Sequence, residues 1–198
     1  MAGTKATVTF TSPPYNAGSL NMKGKAGTQP KYISISDTLK QDEYNVFLDA
    51  FTDIALDVSR YVFVNIQILA KNKLSVIQYL GQYQDQFKDM MYWVKSSGAP
   101  NIHPGVMTSR AELIIILENT IKPTRTFETA TFSQGTFGNV IEGASNSGNE
   151  YSDIHKAVFP EYLPKTVIKN FVPVEGSVYD PFLGTGTTLI AGDGGLGV

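Results

Sequence analysis

The chain contains no cysteine. Disulfides, thiolate zinc sites and every reaction that runs through a cysteine nucleophile are therefore excluded. Histidine is nearly absent too, with only His103 and His155, 52 positions apart, so no histidine-rich metal centre and no bound metal is expected. Nothing in the sequence supports a Ser-His-Asp triad. No apolar run approaches the ~18 residues of a membrane-spanning helix, and the opening MAGTKATVTF has no charged-then-apolar leader. The expectation is a cytoplasmic chain without membrane contact. Eighteen glycines and ten prolines are scattered rather than repeated, which excludes collagen-like and disordered classes. At 198 residues and 42% apolar, the chain can close one sizeable core, and residues 1–198 are read as one catalytic domain.

Charge is sparse, 17% of residues, and the net value is only −2. Its distribution is uneven. Residues 1–59 carry 5 basic and 6 acidic side chains, 60–125 carry 8 and 4, and 126–198 carry 3 and 8. A basic middle fits a phosphate-facing surface, with Lys23, Lys25, Lys31, Lys71, Lys73, Lys95, Arg110, Lys122 and Arg125 as candidate contacts.

Ala6 to Thr11 is a β-rich run that stops at Ser12-Pro13-Pro14-Tyr15, where two prolines forbid further ladder hydrogen bonds. Residues 16–32 read as a long loop. Thr38 with Gln41 fits a capping box that opens an amphipathic helix to about Ser59, and Tyr61 to Ile66 then suits a strand buried on both faces. A weaker helix over about Leu69 to Gln86 precedes β-like runs at Asp89 to Val94 and Ala111 to Leu117. Residues 119–152 are rich in Ser, Thr, Gly and Asn, with Phe127, Phe132, Phe137 and Tyr151 spaced through them. They are read as a small target-recognition or lid insertion. A helix follows over Pro160 to Phe171, then a short strand Ser177 to Asp180, a glycine-rich turn and a helix from Thr187. Alternating elements with buried strands imply α/β architecture: a Rossmann-like sheet, open and mostly parallel, with ligands at the carboxyl ends of its strands.

Two turns fall at such ends. In Asp180-Pro181-Phe182-Leu183-Gly184-Thr185-Gly186-Thr187-Thr188 there is no Walker lysine, and Leu189 stands where the dinucleotide fingerprint has a third glycine. A smaller adenosyl ligand remains, with Asp180 accepting from a cationic amino group. In Thr11 to Asn16 the prolines lock the backbone, so that Ser12 Oγ and a proline carbonyl can accept the two hydrogens of an exocyclic NH2 and Tyr15 can stack on the base. Taken singly, the first could be an ordinary αβ turn and the second an ordinary Pro-Pro loop.

Together, and in this order, the turns resemble the amino-methylating DNA methyltransferases of β-group motif order. A third segment, His155-Lys156-Ala157-Val158-Phe159-Pro160 through Pro164, resembles the stretch that precedes the family's Asp-Pro-Phe strand, with Lys156 where proline is usual. Tyr92-Trp93-Val94-Lys95 and Arg110-Ala111-Glu112 resemble the family's Trp-x-Lys and Arg-x-Glu hairpin region. The resemblance implies S-adenosyl-L-methionine as cofactor and methyl transfer to N4 of cytosine or N6 of adenine in DNA, with the target base flipped out. It implies a base site at Ser12, Pro13, Pro14 and Tyr15. It also implies a cofactor cradle of Asp180, Phe182, Gly184, Thr185, Gly186, Thr187 and Thr188, with Phe159 and Pro160 beside it. Serine in the first position leans towards cytosine. The missing cysteine independently excludes methylation at cytosine carbon 5. A bacterial cytoplasm, or a phage within one, and a restriction-modification context are the implied setting.

The family continues beyond the glycine-rich helix into a strand whose terminal carboxylate grips the ribose, whereas this sequence ends Gly192-Asp193-Gly194-Gly195-Leu196-Gly197-Val198. One sheet edge is therefore expected to be incomplete, with a homodimer or complementing chain to supply it. The competing reading is a catalytically impaired DNA-binding or assembly subunit of the same fold. A third reading is methylation of RNA or of a protein glutamine.

Overall fold

The computed structural model describes residues 5–18, 38–98, 104–145 and 159–193. The loop lysines Lys23, Lys25 and Lys31, both histidines, Tyr151 and the start of the third family-like segment lie outside them. The elements are β1 (Ala6–Thr11), α1 (Gln41–Val58), β2 (Ser59–Ile66), α2 (Lys73–Gln82), β3 (Phe87–Lys95), β4 (Ala111–Glu118), β5 (Val140–Gly143), α3 (Tyr162–Phe171), β6 (Val178–Tyr179) and α4 (Thr187–Asp193).

One six-stranded sheet runs in the order β5-β3-β4-β2-β1-β6. β1 pairs in parallel with β2 and β6, β3 pairs in parallel with β5, and β4 is antiparallel to both neighbours. Five strands thus share one direction, and the two-residue β6 forms an edge. The period-two alternation of the strands builds two cores. Tyr61, Phe63, Ile114 and Ile116 face α3, while Val62, Val64, Ile115 and Leu117 face α1 and α2. The result is three layers with the sheet in the middle. Among the described residues no helix is long and apolar enough to cross a membrane.

The helix starts differ from the sequence expectation. α1 opens at Lys40, whose backbone N–H donates to the Glu43 carboxylate (3.0 Å), rather than through Thr38 and Gln41. α2 begins only at Lys73. Buried Asn72 accepts the Leu69 N–H (2.7 Å) and donates to the carbonyls of Gln67 (2.9 Å) and Tyr15 (2.7 Å), which wraps residues 67–72 into a turn.

Residues 119–145, the described part of the 119–152 segment, are built into the sheet and core. They contribute β5, and Phe127, Phe132 and Phe137 pack around Phe171 at ring-centroid distances of 4.8, 5.6 and 5.7 Å. Phe171 also meets Phe63 at 4.9 Å. One aromatic from α3 thus joins the sheet to a segment whose composition alone suggests a loop. Replacing Phe171 by alanine lowers unfolding free energy by about 3–5 kcal/mol, measured by denaturant titration.

Candidate active site

Because β1 and β6 are parallel neighbours, with Thr9 opposite Tyr179, the turns that follow them emerge side by side. A single carboxylate joins them. Asp180 Oδ1 accepts from Thr11 Oγ1 (2.7 Å) and from the Phe182 backbone N–H (3.0 Å), while Oδ2 accepts from Thr188 Oγ1 (2.7 Å). Burial pushes the Asp180 carboxyl above the ordinary carboxylate range, and these three donors oppose the shift. Most of the acceptor capacity that the sequence assigned to a cationic ligand is thus engaged by the protein itself.

Beyond Asp180 the chain turns through Gly184 (φ 55°) and Gly186 (φ 83°), backbone conformations that side chains with a Cβ rarely adopt. The Gly186 N–H closes the turn on the Leu183 carbonyl (2.8 Å). A Cβ at Gly186 would meet no atom within 4 Å, so open space lies against this backbone. Phe182 anchors the turn below, with its ring 5.5 Å from Phe47 and 5.2 Å from Phe51 on α1. Thr187 and Thr188 are buried, whereas Gly184 is exposed and Thr185 and Gly186 partly so. Phe159 meets Phe10 of β1 edge-on at 5.5 Å, and buried Pro160 accepts the Leu163 N–H (3.0 Å) where α3 begins.

The proline turn is pinned from both sides. The Tyr44 hydroxyl donates to the Pro14 carbonyl (2.8 Å), and Asn72 holds the Tyr15 carbonyl. Of the two proline carbonyls, Pro14's is therefore taken, while among the described residues nothing donates to Pro13's. Ser12 Oγ lies 2.9 Å from the Tyr15 hydroxyl. Tyr15 is half-buried against the α1–α2 core, and its hydroxyl turns inward to donate to Glu112 Oε2 (2.7 Å). Burial, with Glu112 beside it, pushes this phenol well above its ordinary value.

Glu112 was outside the sequence-derived site. It is 4% exposed and also accepts from Asn65 Nδ2 (3.1 Å) and from Lys95 Nζ. Lys95 lies 5.0 Å above the Trp93 ring, and Trp93 Nε1 donates to Tyr162 (2.8 Å). The Trp-x-Lys and Arg-x-Glu strands are thus fastened to each other directly beneath the proline turn. The antiparallel course of β4 brings this about, because its beginning lies beside the ends of β2 and β3.

The basic candidates separate by position. Lys71, Lys73 and Arg110 flank the site end of the sheet, and the Lys71 side chain covers Gly18. Lys95 is spent on Glu112. Lys122 and Arg125 lie at the far end, where the Lys122 backbone N–H donates to the Asp85 carbonyl (2.6 Å) and the Arg125 side chain pairs with Asp89 (3.0 Å). A polar cavity of about 540 Å3 also lies at that end, lined by Lys5, Arg60, Glu118, Lys122 and Glu128 among others. It is remote from both turns.

A family model described as DNA methylase matches residues 6–193. Among solved structures, PvuII DNA methyltransferase (cytosine-N4-specific) superposes with a TM-score of 0.69 at 16% identity, covering 96% of this chain and 72% of that one. The M1.HpyAVI–SAM complex gives 0.57 at 14% identity, with 96% and 79% covered. The DNA modification methylase TTHA0409 from Thermus thermophilus, complexed with S-adenosyl-L-methionine, gives 0.55 at 18%, with 96% and 78% covered. At these identities the likeness is one of fold. No curated protein sequence matches the chain.

Two outcomes follow from the hydrogen bonding. Thr11→Val leaves a part-buried carboxylate one donor short. It costs about 1.5–3 kcal/mol of stability and moves the Asp180 titration further upward, as read by denaturation and carboxyl NMR. For Tyr15, the unfolded chain releases the phenolic proton near pH ~10 while the folded chain retains it. The folded state then binds more protons, so stability falls as pH rises past that value. Tyr15→Phe makes the alkaline decline shallower in unfolding curves collected across it.

Proposed function

The chain belongs to the DNA methylase family, as an S-adenosylmethionine-dependent methyltransferase acting on the amino group of cytosine (N4) or adenine (N6) in DNA, and from that premise we propose how its two turns divide the work. The observation that carries the proposal is the Thr11–Asp180–Thr188 linkage, which holds the end of the proline-turn strand and the start of the glycine-turn helix on one carboxylate.

The glycine turn fits the cofactor: two left-handed glycines shape it, and at Gly186 the backbone faces open space that a side chain would fill. Gly184, Thr185 and Gly186 present that backbone, while Asp180, Thr187 and Thr188 hold its shape. Phe182 supports it from beneath, and Phe159 and Pro160 close the side towards α3. Held there, S-adenosylmethionine would supply an electrophilic methyl group to the amino nitrogen, with S-adenosylhomocysteine and one amino proton as the leaving products.

An exocyclic amino nitrogen is a poor nucleophile because its lone pair is delocalised into the ring. Ser12 Oγ and the Pro13 carbonyl accept its two hydrogens, favour the tetrahedral form and aim the lone pair at the methyl group. Pro14 and Tyr15 hold that geometry through Tyr44, Asn72 and Glu112. A stacked base cannot reach Ser12, so the target nucleotide is extruded from the duplex. Serine in this position supports cytosine N4 as the acceptor. The 119–152 segment, whose β5 reaches the site end at Gly143 opposite Lys95, is assigned target recognition.

The test is transfer of labelled methyl from S-adenosylmethionine to duplex DNA, with the product nucleoside identified by chromatography. N4-methylcytosine is expected. Ser12→Ala lowers kcat by about 100-fold, with cofactor affinity kept within about threefold. Label on RNA or protein alone, or tight cofactor binding without transfer to any amino group, overturns the proposal.

A further inference from the structure

The Tyr15 hydroxyl has one proton and three oxygen neighbours: Glu112 Oε2 at 2.7 Å, Ser12 Oγ at 2.9 Å and Asn65 Oδ1 at 3.3 Å. Two of these cannot donate. Lys95 is ion-paired to Glu112 Oε1, which leaves the carboxylate an acceptor only. Asn65 spends its amide hydrogens on Glu112 Oε2 (3.1 Å) and the Leu113 carbonyl (3.2 Å), so the oxygen it turns to Tyr15 is also an acceptor. The phenolic proton must therefore point at Glu112, the nearest and the charged partner. With that proton committed, the contact between Ser12 and Tyr15 is a hydrogen bond only if Ser12 donates.

We infer that Glu112 is a positioning residue that sets the direction of the chain Ser12→Tyr15→Glu112 and so makes Ser12 Oγ an obligate acceptor towards the target. A serine hydroxyl is ordinarily ambivalent, able to greet an amino group as acceptor or a keto group as donor. Here its proton is spent inward and only lone pairs face outward. These match the N–H of an exocyclic amino group and oppose a keto oxygen, so Glu112 acts as a specificity determinant for amino-bearing bases without touching them. The inference rests on the methyltransferase reading above and adds to it the group that fixes donor–acceptor sense.

Glu112→Gln keeps the shape and reverses the sense. Its amide oxygen stays with Lys95 and its NH2 faces Tyr15, so the phenolic proton turns to Ser12 Oγ at 2.9 Å in preference to the more distant Asn65 Oδ1 at 3.3 Å, and the Ser12 proton turns outward. The expected result is a kcat for methyl transfer lowered about 10- to 100-fold, with cofactor KM unchanged. In a Ser12→Ala background the same substitution changes kcat by less than about threefold, because no hydroxyl remains to be misdirected. Tyr15→Phe is the second variant. It keeps the ring and removes the relay, so it lowers kcat similarly and makes Glu112→Gln silent. An equal loss from Glu112→Gln in the Ser12 and Ser12→Ala backgrounds, or a loss expressed in cofactor KM, overturns the inference and leaves the methyltransferase reading standing. Full kcat in Tyr15→Phe overturns it as well, even if Glu112→Gln does not fold. A wild-type chain that methylates no amino group overturns the reading, and the inference falls with it.

Discussion

The carboxylate of Asp180 is the constraint on which the site depends. It receives Thr11 from the strand that ends in the proline turn, the backbone of its own turn at Phe182, and Thr188 from the helix beyond. A carboxylate removed from water is costly unless its lone pairs are satisfied, and a site with three fixed donors has one low-energy arrangement rather than several. The distance between the two turns is thereby set by hydrogen bonds of ordinary length, not by loop flexibility. Reactions that align two bound partners gain most from such rigidity, because orientation entropy is lost in folding rather than at each turnover. In a chain without cysteine, where no covalent anchor to the base through sulfur is available, positioning is the resource that remains.

Much of this was legible in the sequence because it depends on local chemistry. The prolines at 13 and 14 deny a strand its ladder hydrogen bonds, and Gly184 and Gly186 permit the left-handed backbone that the turn adopts. The nearly continuous apolar run from Tyr61 to Ile66 marks a strand clothed on both faces, as the two cores confirm. Strand-end turns in a mostly parallel sheet share an end, so the juxtaposition of Ser12 and Asp180 also followed. Glu112 was not legible as part of the site, because its bond to Tyr15 spans 97 positions. A hairpin motif alone does not say which turn its strands lie beneath. The early end of helical pattern before Lys73 was hidden for a similar reason. Asn72 makes its decisive bond to Tyr15, 57 positions away. Phe127, Phe132 and Phe137 stand among polar residues, and only their convergence on Phe171 reveals that the segment is core.

β4 carries two buried glutamates on one face, Glu112 at its start and Glu118 at its end, and both pair with lysines of β3. Strict alternation would not allow this. Lys88 and Lys95 are an odd number of positions apart and should point to opposite faces. The register between β3 and β4 shifts at Phe87–Asp89, where the ladder passes from Leu117 to Ile116 with Lys88 in between. That bulge inserts one residue and turns Lys88 onto the same face as Met91, Trp93 and Lys95. It lies over the rings of Tyr61 and Phe127 and reaches Glu118 at 2.7 Å. Without the extra residue Glu118 would lose its buried ammonium and keep only Arg60, at 3.4 Å from its other oxygen.

The two pairs then diverge in what they do with the remaining hydrogen-bonding capacity. Lys88 also donates to the carbonyls of Thr124 and Thr126 at 2.7 and 2.8 Å, so its ammonium is fully consumed in fastening residues 119–128 to the sheet. That pair is closed and far from either turn. At the other end Lys95 engages one oxygen of Glu112 and leaves the other to face Tyr15, one hydrogen bond from Ser12. The same ion pair, repeated on one strand, is a fastening where its remaining polar atoms are taken by the Thr124 and Thr126 carbonyls and by Arg60. It becomes an orienting device where one oxygen is left to direct a proton. Reading a buried carboxylate therefore requires following every lone pair to its partner, since Glu112 and Glu118 are both buried and both paired with a lysine of β3.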